Sequence, residues 1–218
     1  MFYKKIVLLL FFSYIFYWWY MYKLIAHRAL DNHKYKENSI EAFINCLDKD
    51  YIDGVEIDVR ITKDKKLILN HNSIIGNNLI KNQTLKQLKK YNVTLLEDVL
   101  KLNTNKIIVL DLKDKMKSEI KKIIKKYNYL NLYICSFNYE LVSDLLNTNV
   151  KIGLIVGYFI NKNKNYSKFD FLNVNYKEKV KFNKEIMLWT INKYEDLKKI
   201  NIKDFYLITD CAYKFIKS

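Results

Sequence analysis

Short apolar, β-branched runs alternate with amphipathic stretches along almost the whole chain, and this alternation restricts the fold more than any other feature of the sequence. Candidate strands are Leu24–His27, Gly54–Arg60, Lys66–His71, Lys106–Leu112, Leu132–Ser136, Lys151–Val156, Phe169–Val174, Ile186–Thr190 and Phe205–Thr209. Candidate helices lie between most of them: Ser39–Lys49, Thr84–Lys90, Leu96–Leu102, Lys117–Tyr127, Tyr139–Leu146 and Lys193–Ile200. Strand–helix alternation of this kind predicts a parallel α/β sheet. One pair departs from it. Only Ile61–Lys65 joins Gly54–Arg60 to Lys66–His71, too short for a parallel crossover, so the two should form an antiparallel hairpin. With Asp64-Lys65 as the central pair, Asp58 falls opposite His71. Setting that return strand aside leaves eight parallel strands, the number that closes a (β/α)8 TIM barrel. From Lys23 to Ser218 there are 196 residues, few for this fold, so the outer helices must be short.

Composition removes several other classes. Half of the residues are apolar and 15% are aromatic, which excludes a disordered chain. Four glycines, no proline and three cysteines exclude collagen-like and disulfide-framework folds. The net charge is +15, but 36 of the 38 basic residues are lysines scattered singly and in pairs. Without an Arg-rich tract or a nucleic-acid module, no nucleic-acid partner is expected. Cys46, Cys135 and Cys211 stand in apolar contexts without metal-ligand spacing and read as buried free thiols.

The amino terminus reads as a membrane anchor. Ile6 to Tyr22 are 17 residues without a charge, preceded by Lys4 and Lys5 and closed by Lys23. Such a helix spans about 26 Å against the roughly 30 Å of a bilayer core. Aromatics crowd its far end, as in an interfacial belt, and no small residues offer a signal-peptide cut site. The expected organisation is therefore an anchor over residues 1–22 and one barrel over 23–218. With no spacer between them, the barrel's amino-terminal end should face the bilayer and its active mouth point away. Lys4 and Lys5 favour an external barrel.

Scarce residues gather at strand ends. His27 and His71 close two candidate strands, and Arg28, one of two arginines, follows His27. Glu56 and Asp58 are two apart, so on a strand they share a face, and Asp111 and Lys113 repeat that spacing. In a barrel the carboxyl ends of the strands converge on one mouth, where active sites of this fold lie. Three carboxylates can hold a hard divalent cation, two histidines can move protons near neutral pH, and Arg28 and Lys113 can neutralise a phosphate. His33 lies in a polar loop and receives no role.

These residues also carry a resemblance. His27-Arg28-Ala29, Glu37-Asn38-Ser39 with Ala42-Phe43, Glu56-Ile57-Asp58-Val59, Thr62-Lys63-Asp64, His71-Asn72, Asp111-Leu112-Lys113, Ser136-Phe137, Trp189-Thr190-Ile191-Asn192 and Thr209-Asp210 occur in that order. In this respect the chain resembles the glycerophosphodiester phosphodiesterase family, over residues 23 to 212. The resemblance implies a TIM barrel hydrolysing a small-molecule phosphodiester to an alcohol and glycerol 3-phosphate. It implies His27 and His71 as the acid/base pair, and Glu56, Asp58 and Asp111 as ligands of one Mg²⁺ or Ca²⁺. Arg28, Lys113, Trp189 and Glu37 would bind substrate. In the scheme it implies, a glycerol hydroxyl attacks phosphorus and water then opens the cyclic phosphate.

Three positions depart from the family pattern: Ala29 stands for Gly, Asn72 for Asp, and Asp111 for Glu, the last as in the related sphingomyelinase D group. No large insertion of the glycerol-recognising kind separates His71 from Lys106. Two alternatives accompany this reading: a lipid phosphodiesterase of sphingomyelinase D or lysophospholipase D type, and a membrane-tethered barrel without catalysis.

Overall fold

A computed structural model describes residues 22–157, 166–178 and 183–216. Eight parallel strands close into a barrel: β1 (Tyr22–Ala26), β2 (Gly54–Ile61), β3 (Ile107–Leu112), β4 (Leu132–Cys135), β5 (Lys151–Val156), β6 (Phe171–Asn175), β7 (Glu185–Trp189) and β8 (Phe205–Thr209). Each pairs with its neighbour in order, and β1 completes the circle by pairing with both β2 and β8. The expected TIM barrel is thus present.

The strand sequences explain the closure. β3 reads IIVLDL with every residue buried, because barrel strands are covered on both faces. One set of side chains, including Ile25, Val109, Phe171, Met187 and Ile208, fills the interior, while the alternate set packs outward under the helices. At Gly54 β1, β2 and β3 approach closely: a Cβ there would lie 2.6 Å from Ile107 Cβ and 2.8 Å from Ile25 Cδ1.

The helices are short, as the chain length requires. α1 (Ile40–Leu47) begins at Ser39, whose Oγ accepts the Ala42 N–H at 3.1 Å, and buries Ala42, Phe43 and Cys46. α2 (Leu85–Leu88) carries a capping box between Thr84 and Gln87, and α3 (Leu96–Leu100) follows. α4 (Lys117–Tyr127) buries Ile120, Ile123 and Ile124 on one stripe and leaves its lysines to solvent, stopping at Asn128 in the left-handed region. α5 (Tyr139–Val142) and α6 (Tyr194–Leu197) are single turns. All three cysteines are free and buried, as expected.

Two expectations need correction. The hairpin forms, but the return strand Leu67–Leu69 pairs Val59 with Leu69, so Asn70 rather than His71 faces Asp58. The turn explains the slip. Thr62 N–H donates to Lys66 O at 2.9 Å, enclosing three residues, with Lys65 at φ +61°. A three-residue turn with a left-handed final position shifts the register by one relative to a two-residue turn. The second correction concerns Tyr22, which is not the end of an anchor. It is the buried first residue of β1, and its hydroxyl donates to Phe215 O at 3.1 Å. The rest of the expected anchor lies outside the described residues, among which no helix is long and apolar enough to cross a membrane.

Candidate active site

The carboxyl ends of β1, β2 and β3 bring the charged residues together. Glu56 and Asp58 share the inner face of β2, and the β2–β3 register sets Asp58 beside Asp111. Ligand oxygens of Glu56, Asp58 and Asp111 all lie within 4.8 Å of one another, and all three residues are buried. Three buried carboxylates need compensating charge. Lys113 Nζ supplies part of it, donating to Asp58 Oδ1 at 2.9 Å and Asp111 Oδ2 at 2.5 Å. Asn38 fastens Asp58 twice, its Nδ2 donating to Asp58 Oδ2 and its Oδ1 accepting the Asp58 N–H.

These partners separate the three acids electrostatically. Burial, reinforced by the Asp58 charge, pushes the Glu56 carboxyl up to about 8. Burial also raises Asp111, to about 6, against the opposing pull of Lys113. At Asp58 the burial penalty is outweighed by Lys113, Asn38 and Arg28, which hold its carboxyl below the usual range. The donor set fits a hard cation. Asp111 Oδ1 is buried with no hydrogen-bond partner among the described residues, as is expected of an oxygen that faces a metal.

His27 follows β1 in a single 3-10 turn. Its Nδ1 hydrogen-bonds Asp210 Oδ1 at 2.6 Å, leaving Nε2 to face Glu56 Oε2 at 3.8 Å. Asp210 is itself clamped: Asn192 Nδ2 donates to its Oδ2, and its N–H donates to Asn192 Oδ1. Burial alone would depress the His27 imidazolium, but the Asp210 hydrogen bond and the charges of Glu56 and Asp210 outweigh it and raise the pKa.

Arg28 and Ala29 both adopt left-handed backbone, φ +52° and +60°, a conformation costing about 1–2 kcal/mol per non-glycine residue. The turn aims the Arg28 N–H at Glu56 Oε2 (3.0 Å) and its guanidinium at Glu37, with Nη1 3.0 Å from Oε2. Arg28 Nε lies 3.5 Å from Asp58 Oδ2 and is buried without a hydrogen bond among the described residues.

His71 sits beyond the return strand and, like His27, is half-buried. Arg60 holds it by the backbone, Nε and Nη2 donating to His71 O at 3.0 and 2.7 Å while Nη1 pairs with Asp114 at 2.9 Å. Burial, and after it the neighbouring cations Arg28 and Lys113, lower the His71 pKa against the raising influence of Asp58. Trp189, at the end of β7, packs edge-on against the exposed Phe137 ring at 5.6 Å, and its indole donates to Asn173 O at 3.1 Å.

The expected residues on β1, β2 and β3 therefore meet, and Glu37 joins them through Arg28. Sequence reading assigned no part to Arg60, Asn38, Asn192 or Asp210. Each carried a signal nonetheless: Arg60 is the second of only two arginines, and Asn38, Asn192 and Asp210 stand in the motifs that carry the resemblance.

Comparison with known proteins agrees with this geometry. The model of the glycerophosphoryl diester phosphodiesterase family matches residues 27–189. A glycerophosphodiester phosphodiesterase of Caldanaerobacter subterraneus subsp. tengcongensis is 28% identical, the match covering 61% of this chain and 65%, just under two thirds, of that protein. The crystal structure of a Thermotoga maritima glycerophosphodiester phosphodiesterase superposes with a TM-score of 0.72 at 25% identity, covering 91% of this chain and 98% of that one. An Oleispira antarctica phosphodiesterase, solved with its product sn-glycerol-3-phosphate, gives 0.74 at 18% identity, covering 88% and 94%, and so supports the fold.

Proposed function

Since the chain belongs to the glycerophosphoryl diester phosphodiesterase family, we propose that it is a metal-dependent phosphoric diester hydrolase cleaving glycerophosphodiesters to an alcohol and glycerol 3-phosphate. One observation carries the reading: a buried acidic trio with an orphaned carboxylate oxygen stands between His27 and the Arg28–Lys113 cation pair.

Glu56, Asp58 and Asp111 would hold one Mg²⁺ or Ca²⁺, since an all-oxygen set favours hard cations. When bound, the ion offsets charge developing on the phosphoryl oxygens. The chain's own residues do the rest. Arg28, whose Nε lacks a hydrogen bond among the described residues, and Lys113 bind the phosphate. One histidine takes the proton of the substrate's glycerol hydroxyl as its oxygen attacks phosphorus. The other gives a proton to the departing alcohol as the P–O bond breaks. Water then opens the cyclic phosphate with the proton roles reversed. Asp210 keeps the His27 Nδ1 engaged, so that Nε2 alone serves the mouth. Glu37 orients Arg28, and Trp189, packed on Phe137, lines the substrate site.

The test is a substrate panel of glycerophosphocholine, glycerophosphoethanolamine and lysophosphatidylcholine, with Mg²⁺, Ca²⁺ or chelator. Turnover of the two soluble diesters is the expected result. Efficient hydrolysis of the lysolipid alone would make the enzyme a lipid phosphodiesterase, and no turnover of any diester would remove the reading.

We also propose that the segment over residues 6–21 anchors the protein, with the barrel external and its mouth directed away from the bilayer. The uncharged run and the absence of a spacer before β1 support this. Protease added to intact cells should digest the barrel. Protection until lysis would reverse the orientation, and recovery of the full-length chain in the soluble fraction would remove the anchor.

A further inference from the structure

The turn between His27 and Leu30 contains two consecutive left-handed residues and no glycine. A backbone in that region springs back unless something outside the turn holds it. Three groups from other elements do so. Glu56 Oε2 on β2 accepts the Arg28 N–H at 3.0 Å, and the Asn38 N–H donates to Arg28 O at 2.8 Å. Cys46 Sγ on α1 donates to Ala29 O at 3.2 Å.

The third contact is unusual in its setting. Cys46 and Ala29 are 0% and 1% exposed, so water cannot substitute for either partner. Burial, then the charge of Asp31, pushes the Cys46 thiol up to about 12, which keeps the proton it donates. A thiol is a weak donor, but here it is a buried hydrogen bond made to one of the two left-handed residues.

We infer that Ala29 and Cys46 form a positioning pair, in which the helix-borne thiol holds Ala29 in its left-handed conformation and thereby keeps Arg28 aimed at Glu56 and the phosphate site. Neither side chain touches substrate. The coupling has a specific signature: removing the Cys46 donor matters when residue 29 must be forced into this conformation, and ceases to matter when residue 29 is glycine, which adopts it freely.

The test is a double-mutant cycle of Cys46→Ala and Ala29→Gly in the full chain, read by melting temperature and by kcat and KM on glycerophosphocholine. Cys46→Ala alone is expected to lower the melting temperature by about 2–4 °C and kcat/KM by about tenfold, largely through KM, since Arg28 is displaced. In the Ala29→Gly background the same substitution should change kcat/KM by less than about twofold. Cys46→Ser, which keeps a donor, should remain near wild type and serves if Cys46→Ala does not fold. Equal losses in both backgrounds would overturn the pair, as would a Cys46→Ser variant as damaged as Cys46→Ala. The kinetic arm rests on the proposed activity. The melting-temperature arm does not, so an enzyme inactive on this substrate would leave the coupling measurable.

Discussion

Replacing His27 by alanine is expected to cost about 10²–10⁴-fold in kcat, the usual worth of a general acid or base, with circular dichroism and melting behaviour close to wild type. The geometry predicts the fold's tolerance. His27 lies beyond the last β1 residue, and its partner Asp210 is separately clamped by Asn192. His71→Ala should give a loss of the same order, because Arg60 holds the His71 backbone carbonyl rather than its ring. Arg60 and Asp114 would therefore stay in place in the mutant. Near-wild-type turnover in either variant, at matched secondary structure, would remove that histidine from the mechanism.

Chelation should abolish activity, and Asp111→Asn should weaken metal binding far more than Asp64→Asn. Asp111 has an orphaned oxygen beside Glu56 and Asp58, whereas Asp64 Oδ1 is occupied in the hairpin turn by the Thr62 hydroxyl and the Leu85 N–H. The acids also predict a pH dependence. Glu56 titrates near 8 in the metal-free fold against an ordinary 4.5. Between those values the folded chain binds more protons than the unfolded one, so metal-free stability falls as pH rises. Its contribution is complete below 4.5 and lost through 8. Metal binding must expel that proton, and so should tighten over the same range. Melting curves of chelated protein at about pH 5 and pH 8, with and without Mg²⁺ or Ca²⁺, measure both effects, and Glu56→Gln should reduce the metal-free dependence to the part Asp111 contributes below its value of about 6. Full activity after exhaustive chelation, or equal effects of Asp111→Asn and Asp64→Asn, would contradict the assignment.

The barrel was legible because its strands are buried on both faces, which writes them as unbroken apolar runs such as Ile107–Leu110. The acidic trio was legible because a two-residue spacing on a strand fixes a shared face. The hairpin register was not. It turned on whether Lys65 would accept a left-handed backbone, and lysine carries no sign of that preference. Nor were the supporting contacts. Asn38, Asn192 and Asp210 stand in the motifs that carry the resemblance, but they act through hydrogen bonds across 18 to 183 positions of sequence, and a motif does not name a partner that far away. Arg60 was marked by scarcity, but its hold on the His71 carbonyl was not.

The His27–Asp210 bond joins residues 183 positions apart, across the seam where β1 meets β8. A ribosome delivers Asp210 only 183 residues after His27. Until β8 emerges, the imidazole has neither its carboxylate nor the second strand that fixes the backbone beneath it. A loop of that length gains nothing from local order, and its closure entropy is met only when the whole circle of strands is paired. On the proposed mechanism, pairing β8 with β1 is then a condition for activity, and a chain truncated before β8 is expected to leave His27 without its carboxylate.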